Sequence, residues 1–240
     1  MTKVIAFTAG ESGAGVTTAA ANIGASLALA GKSVLLVEFD SRFSLHKYAG
    51  MKAGGTTYAA SLFYAFAVVE EAGEIIKEAR DSEADFVLVD LGSNTEQFEL
   101  LSFCDEVVVV TALEEAALQR TDFVLGQLES TFGLNPKLLV NRFDVEASVG
   151  VDKLIENTLT DRIVGFVLDS DSFSFYQDPV AVYPTEENGL RFRHISRNLK
   201  EDTYRKYRTL HYPRSSNKTW KKITRFLHAD TAAGERPQAK

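Results

Sequence analysis

The sequence predicts an α/β fold, in which helices cover both faces of a doubly wound, mainly parallel sheet, followed by a basic helical tail. Short apolar runs of strand length alternate along the chain with longer segments of helical periodicity. The runs are rich in Val, Leu, Ile and Phe, as expected of strands that are buried on both faces. Polar residues follow several runs directly, at the edge where such sheets bind ligands.

Length and composition limit the alternatives. The 240 residues suffice for one domain, which we place at residues 1–212, with a tail at 213–240. A single cysteine, Cys104, excludes a disulfide framework and a cysteine metal cluster, and the four histidines lack metal-ligand spacing. No apolar run has the 18 residues of a spanning helix and no secretion segment opens the chain, so we expect a cytoplasmic protein.

The first third of the chain begins the alternation of strands and helices. The pattern predicts strands at residues 3–9 and 33–39, with an Ala-rich helix at 16–30 between them. We expect a loop at 41–57, because glycines interrupt it, and one or two helices at 58–80.

The remainder continues the alternation. The predicted strands are residues 85–89, 106–110, 137–140 and 162–168. The predicted helices are residues 94–103, 114–132, 151–159 and 190–210. The helix at 114–132 is amphipathic, and its apolar positions include Leu118, Phe123, Leu125 and Leu128.

Residues 8–18, Thr-Ala-Gly-Glu-Ser-Gly-Ala-Gly-Val-Thr-Thr, have the spacing of a phosphate-binding loop. Gly10, Gly13 and Gly15 allow consecutive backbone N–H groups to turn towards an anion. The N-terminus of the following helix adds positive potential. Val16 stands where such loops carry a lysine for the β- and γ-phosphates. The segment therefore predicts a phosphate site that lacks its usual cation.

Four polar residues are predicted to complete this site. Thr17 is expected to hold Mg²⁺ through its hydroxyl, the alternative being a helix cap. Asp90 is expected to organise Mg²⁺ through water, and Asp40 is a candidate catalytic residue that would orient an attacking water; the alternative for both is a turn aspartate. Asn141 has a donor and an acceptor for an adenine edge, unless it is an ordinary loop asparagine.

Charge is distributed unevenly along the chain. Residues 1–190 contain 12 Lys and Arg against 29 Asp and Glu, whereas residues 191–240 contain 14 against 4. A basic end on an acidic body indicates contact with an anionic surface or with the protein's own acidic face.

A short amphipathic helix is predicted within this basic end, at residues 218–227. Its apolar face consists of Trp220, Ile223, Phe226 and Leu227. Its opposite face carries Lys218, Lys221, Lys222 and Arg225. Aromatic residues opposite cations are typical of a helix at a membrane surface. The alternative is a terminal helix that packs on the domain with its cations in water.

Four segments, taken in order, resemble the MinD/ParA family of P-loop ATPases over residues 3–210: Ala-Gly-Glu-Ser-Gly-Ala-Gly-Val-Thr-Thr, Val-Glu-Phe-Asp, Val-Leu-Val-Asp-Leu-Gly and Leu-Leu-Val-Asn-Arg. The resemblance implies a P-loop NTPase fold, ATP and Mg²⁺ as cofactors, and a homodimer that forms face to face around ATP. It implies a switch I role for Asp40, a position before switch II for Asp90 and an adenine-side role for Asn141. The matching nucleotide-binding residues of the loop are Gly10, Gly13, Gly15, Thr17 and Thr18.

The sequence also departs from the family pattern. The family loop has two lysines, but Glu11 stands at the first position and Val16 at the second. The proline usual in switch II is absent, and the stretch between Asp40 and Asp90 is short, as if a strand were missing. Losing two lysine–phosphate contacts would cost about 3–6 kcal/mol, and Glu11 would add repulsion. These departures resemble the degenerate TadZ/CpaE-like branch, so we expect ATP and Mg²⁺ to bind weakly or not at all.

The preferred hypothesis is a spatial organiser without enzymatic activity. It would dimerise, contact the inner face of the membrane and position a machine such as a pilus or secretion apparatus. A second hypothesis is a slow ATPase in which Lys47 or Lys52 replaces the missing lysines. A third hypothesis is a DNA-partitioning protein, whose partner is nucleic acid and which binds DNA through residues 191–225.

Overall fold

A computed structural model describes residues 2–39, 45–48, 62–66, 72–93, 95–143, 162–171, 173, 178–183 and 185–201. Within them, the strands are β1 (Lys3–Thr8), β2 (Val34–Glu38), β3 (Leu62–Phe66), β4 (Phe86–Asp90), β5 (Glu106–Thr111), β6 (Lys137–Phe143) and β7 (Ile163–Leu168). The helices are α1 (Val16–Leu29), α2 (Leu45–Tyr48), α3 (Ala72–Arg80), α4 (Glu115–Phe132) and α5 (Glu187–Glu201), with 3-10 helices at Thr95–Phe103 and Val180–Val182. Asp40, the predicted helix at 151–159 and the tail at 213–240 lie outside the described residues.

The described strands form one parallel sheet in the order β3-β2-β4-β1-β5-β6-β7. The chain therefore extends from β1 in both directions, with β4, β2 and β3 on one side and β5, β6 and β7 on the other. Parallel sheets bind ligands at the carboxyl edge, where the strand order reverses. The loop that follows β1 lies at this point, and the predicted doubly wound fold is confirmed.

Alternate residues of the central strand β1 belong to two separate apolar cores. Ile5 and Phe7 pack in the cluster that contains α1 and α5. Val4 and Ala6 pack in the cluster that contains α3 and α4. The strand is buried on both faces, which explains why its sequence is continuously apolar rather than alternating.

Helix α1, whose N-terminus carries the loop, is buried along almost its whole length. Its small alanine side chains allow the sheet and α5 to approach closely. Two hydrogen bonds add to this packing: Ser196 Oγ donates to the Ile23 carbonyl at 3.3 Å, and the Ala181 N–H donates to Asn22 Oδ1 at 3.0 Å. Although α1 is apolar, none of the described helices is long and apolar enough to span a bilayer.

Two predictions for the region between β2 and α4 were wrong. Residues 58–80 are not all helical, because β3 (Leu62–Phe66) pairs in parallel with β2 and α3 begins only at Ala72. The strand that the sequence seemed to lack is therefore present, and the described sheet has seven strands rather than six. The segment Leu-Phe-Tyr-Ala-Phe is rich in aromatic residues, which favour strands.

Two further differences concern α4 and β6. Phe123 of α4 is 64% exposed and does not belong to the apolar face of that helix. It follows Leu118 by five residues, which rotates it by about 140° away from that leucine. Strand β6 continues beyond Val140 to Phe143, so Asn141 lies inside a strand instead of after it.

Asp85 connects the amino ends of β2 and β4. Its Oδ2 accepts the Ser33 N–H at 2.9 Å, its Oδ1 accepts Lys32 Nζ at 3.0 Å, and its own N–H donates to the Ser33 carbonyl at 2.9 Å. The bond from the Ser33 amide, followed by that from Lys32, holds the pKa of the Asp85 carboxyl below its ordinary value.

We expect Asp85→Asn to lower the free energy of unfolding at pH 7, because the amide cannot replace the charged acceptor. A carboxyl whose pKa is lower in the folded state stabilises the fold above its unfolded pKa of about 3.9 and loses this effect as the pH falls further. The deficit of the variant should therefore be constant down to about pH 4 and shrink below it. Urea denaturation at a series of pH values measures this, with the exposed Asp81→Asn as control. A deficit that does not change with pH would contradict the assignment.

Candidate functional site

The loop between β1 and α1 directs backbone N–H groups towards the carboxyl edge of the sheet. Gly13 and Gly15 have φ values of 84° and 97°, in the left-handed region that glycine tolerates best. Gly15 is the N-cap of α1, and the first intrahelical bond runs from the Ala19 N–H to the Gly15 carbonyl at 2.9 Å. The three amides between these residues have no partner within the helix, which gives this end an affinity for anions.

A cleft of about 360 Å³ lies against this loop. It brings together five of the residues predicted from the sequence: Gly13, Gly15, Thr17, Thr18 and Asn141. Gly10 is not among its lining residues; a Cβ there would lie 2.9 Å from the backbone carbonyl carbon of Arg120. Gly10 therefore allows α4 to pack against the loop.

Thr17 has the position expected of a metal-binding hydroxyl residue. It is the second residue of α1, only 8% exposed, and it lines the cleft together with Thr18. Gly15 occupies the N-cap position, so the structure gives no support to the alternative that Thr17 caps the helix. Its role towards Mg²⁺ remains a prediction.

Asn141 connects β6 to the phosphate loop. Its Nδ2 donates to the Ala14 carbonyl at 2.7 Å. A Cβ on Gly15 would lie 2.2 Å from the same nitrogen, so the loop and the amide approach each other as closely as glycine permits. Asn141 thus shapes the loop in addition to lining the cleft, and its predicted contact with adenine is untested.

Asp90 is fully buried at the end of β4 and is not among the residues that line the cleft. Its Oδ1 accepts the Gly92 N–H at 2.9 Å, which is the turn role considered as the alternative. The Gly92 carbonyl in turn accepts the Thr8 hydroxyl at 3.2 Å and the Ala9 N–H at 3.1 Å. Asp90 therefore positions the turn that holds the start of the loop, and its contact with Mg²⁺ remains a prediction.

The two positions that lack lysine differ in environment. The Val16 side chain is 6% exposed and packs in the apolar cluster of α1. Glu11 is among the residues that line the cleft, and its carboxylate accepts a hydrogen bond from Arg120 Nη1 of α4. The repulsion expected between Glu11 and a phosphate is therefore reduced by a cation that sequence reasoning missed.

Arg142 is a second residue that the sequence analysis missed. It is the one Lys or Arg among the described residues that line the cleft, where the acidic residues are Glu11 and Asp169. Its φ of 50° is uncommon outside glycine, and the pairing of β6 with β7 shifts register between Val140 and Phe143. Such bulges often lie beside binding sites, where they redirect side chains. A left-handed backbone at one arginine has no signal in the sequence.

We expect Gly15→Ala to lower the free energy of unfolding by about 1–3 kcal/mol, because a side chain is strained at this φ and would clash with Asn141. The variant should also lose anion binding at the loop. The control is Gly126→Ala in α4, where a Cβ has open space; there we expect stabilisation of about 0.5–1 kcal/mol. Urea denaturation of both variants measures the difference, and equal changes would contradict the role given to Gly15.

Comparison with known proteins adds to this geometry. A family model described as the CobQ/CobB/MinD/ParA nucleotide binding domain matches residues 5–178. The septum site-determining protein MinD of Bacillus subtilis is 26% identical over 83% of this chain and 89% of its own length. The chromosome-partitioning ATPase Soj of Treponema pallidum is 45% identical, over 24% of this chain and 23% of its own.

Solved structures agree on the fold. MinD from Pyrococcus horikoshii, complexed with Mg-ADP, superposes with a TM-score of 0.71 at 18% identity, covering 84% of this chain and 97% of that one. The MinC:MinD cell division protein complex of Aquifex aeolicus contains a chain with a TM-score of 0.69 at 23% identity, covering 89% and 98%. With its family match over more than half its length, this chain belongs to the CobQ/CobB/MinD/ParA family of nucleotide-binding domains.

Proposed function

We propose that this chain is a positioning protein of the MinD/ParA type that binds Mg-ATP weakly and hydrolyses it very slowly or not at all. One observation carries the proposal: the backbone of the phosphate loop is intact, while the side chains at both lysine positions are not cationic. Val16 is packed into the core and Glu11 is paired with Arg120.

The described residues fit a phosphate chain with Mg²⁺. The amides at the start of α1 would hold the phosphate oxygens, and the Thr17 hydroxyl would bind the metal. A Cβ at Gly15 would clash with Asn141, so the glycine is needed for the loop conformation that directs backbone N–H groups towards a phosphate. When bound, Mg²⁺ neutralises phosphate charge.

Weak binding and slow hydrolysis follow from the missing charge. A hydrogen bond to a charged group contributes roughly 1.5–3 kcal/mol, so two lost lysines remove about 3–6 kcal/mol. This corresponds to roughly two to four decades of affinity or rate. Because phosphoryl transfer depends almost wholly on positioning and charge neutralisation, the rate should fall at least as much as the affinity.

Restoring one lysine tests this account. We expect Val16→Lys to bind Mg-ATP roughly tenfold to 150-fold more tightly than the wild type, because its ammonium would reach the cleft that Val16 lines. Val16→Met is the control, since the methionine side chain is similar in length to that of lysine and carries no charge. Isothermal titration calorimetry measures affinity, and phosphate release from the same samples measures turnover. Tight binding and rapid turnover in the wild type would overturn the proposal in favour of a genuine ATPase.

The wider role is inferred from the relatives. Their names describe determination of the septum site, chromosome partitioning and a cell division complex. These names all concern the positioning of a cellular structure. They support the proposal that this chain, as a homodimer, recruits a protein partner to a location in the cell. We further propose that the location is the inner face of the membrane and that the partner belongs to a machine such as a pilus or secretion apparatus.

The membrane contact is assigned to residues 218–227, on the pattern of the sequence alone. We expect the full chain to sediment with anionic vesicles and Trp220→Glu to abolish this, because a charge replaces the largest apolar residue of the helix. Trp220→Phe, which retains an aromatic ring, should still bind. Unchanged sedimentation of Trp220→Glu would remove the membrane helix from the proposal, and a salt-dependent shift of duplex DNA would favour the partitioning hypothesis instead.

A further inference from the structure

We propose that Arg120 supplies the cation that the phosphate loop lacks, and that Glu11 holds this cation beside the cleft until a polyphosphate displaces it. The inference rests on the proposed function, since it concerns the same site. It assigns the replacement charge to α4, whereas the second hypothesis from the sequence assigned it to Lys47 or Lys52; Lys52 and the Lys47 side chain lie outside the described part of the structure.

Arg120 lies next to the phosphate loop. The backbone of Arg120 lies so close to the loop that a Cβ on Gly10 would be 2.9 Å from its carbonyl carbon. The guanidinium Nη1 donates to Oε2 of Glu11, a residue that lines the cleft, whereas Arg120 itself is not among the lining residues. Arg120 thus pairs with a residue of the cleft, although Arg120 and Glu11 are 109 positions apart in the chain.

The ion pair between Arg120 and Glu11 is weaker than a contact between an arginine and a phosphate. The Arg120 side chain is 55% exposed and that of Glu11 is 26% exposed, so solvent screens their attraction. An exposed ion pair of this kind changes an equilibrium by a factor of about five at most. A charge-assisted contact with phosphate contributes roughly tenfold to 150-fold, and arginine can make it with two parallel bonds. A polyphosphate in the cleft would therefore displace Glu11 as the partner of the Arg120 guanidinium.

Several other described cations form ion pairs at the far edge of the sheet. The pairs made by Lys32, Arg80 and Arg162 each include a residue directly before a strand: Asp85 before β4, Asp105 before β5 and Arg162 before β7. That edge is opposite the phosphate loop. Arg142 lines the cleft, but it lies on β6 beside Asn141, on the side predicted for the base. Arg120, by contrast, contacts the loop directly, through its backbone at Gly10 and its guanidinium at Glu11.

Variants at the two members of the pair should act in opposite directions. We expect Arg120→Gln to weaken binding of Mg-ATP and of inorganic tripolyphosphate by about tenfold or more, because the replacement cation is lost. Glu11→Gln should strengthen both by several-fold, because it frees Arg120 and removes a negative charge from the cleft. Arg120→Lys should retain most of the affinity. A pair that served only to hold the loop would instead make both neutral variants bind more weakly.

The matched controls are Arg162→Gln and Glu129→Gln, which break a second Arg–Glu pair, between the residue before β7 and α4; neither residue lines the cleft. They should leave both affinities unchanged. Isothermal titration calorimetry at constant ionic strength measures binding by the full chain, and circular dichroism with urea denaturation checks that each variant is folded.

Two outcomes overturn the inference in distinguishable ways. Wild-type binding that Arg120→Gln leaves unchanged, or that Glu11→Gln weakens, would overturn the role of Arg120 and leave the proposed function standing. Absence of binding in the wild type, Glu11→Gln and Val16→Lys alike would overturn both. A third outcome would support the inference: binding by Glu11→Gln alone that is lost in the double variant Glu11→Gln, Arg120→Gln. Glu11 would then be the residue that prevents binding in the wild type.

Discussion

The close approach between Asn141 and the loop at Gly15 is the constraint on which the site depends. A hydrogen bond of 2.7 Å from Asn141 Nδ2 to the Ala14 carbonyl attaches the loop to β6. The turn after Asp90 attaches the beginning of the same loop to β4 through the Gly92 carbonyl. Strands on both sides of β1 therefore hold the loop, and α1 is buried behind it. None of these contacts involves a lysine.

This arrangement separates the shape of the site from its charge. The left-handed glycines and the amides at the start of α1 form the cradle, and they depend on backbone geometry and packing. The lysines of the family pattern would add charge to a cradle that is already built. Replacing them with Glu11 and Val16 therefore leaves the fold unaffected, and Val16 even adds to the apolar core. Under the proposed function, catalysis would be the property that loses most, because phosphoryl transfer requires the charge.

Local patterns predicted most of the fold and the loop, because strand-length apolar runs and glycine spacing are signals carried by neighbouring residues. The errors arose where a choice depends on the rest of the structure. The aromatic segment of β3 is compatible with helix or strand until β2 is present to pair with it. Phe123 is apolar, as core residues are, but its angle around α4 places it on the exposed side of the helix. The contact of Asn141 with Ala14 spans 127 residues, so no local pattern could have revealed it.

The pairing of Glu11 with Arg120 changes how the missing lysines are interpreted. From the sequence alone, Glu11 is expected to repel a phosphate, and the two missing lysines are expected to weaken nucleotide binding. In the structure the Glu11 carboxylate is paired with the Arg120 guanidinium, so the net charge of this pair is close to zero. A phosphate chain entering the cleft would not simply oppose Glu11; it would compete with it for one arginine. Binding would then depend on the exchange of a partner of Arg120 rather than on a cation that already faces the phosphates.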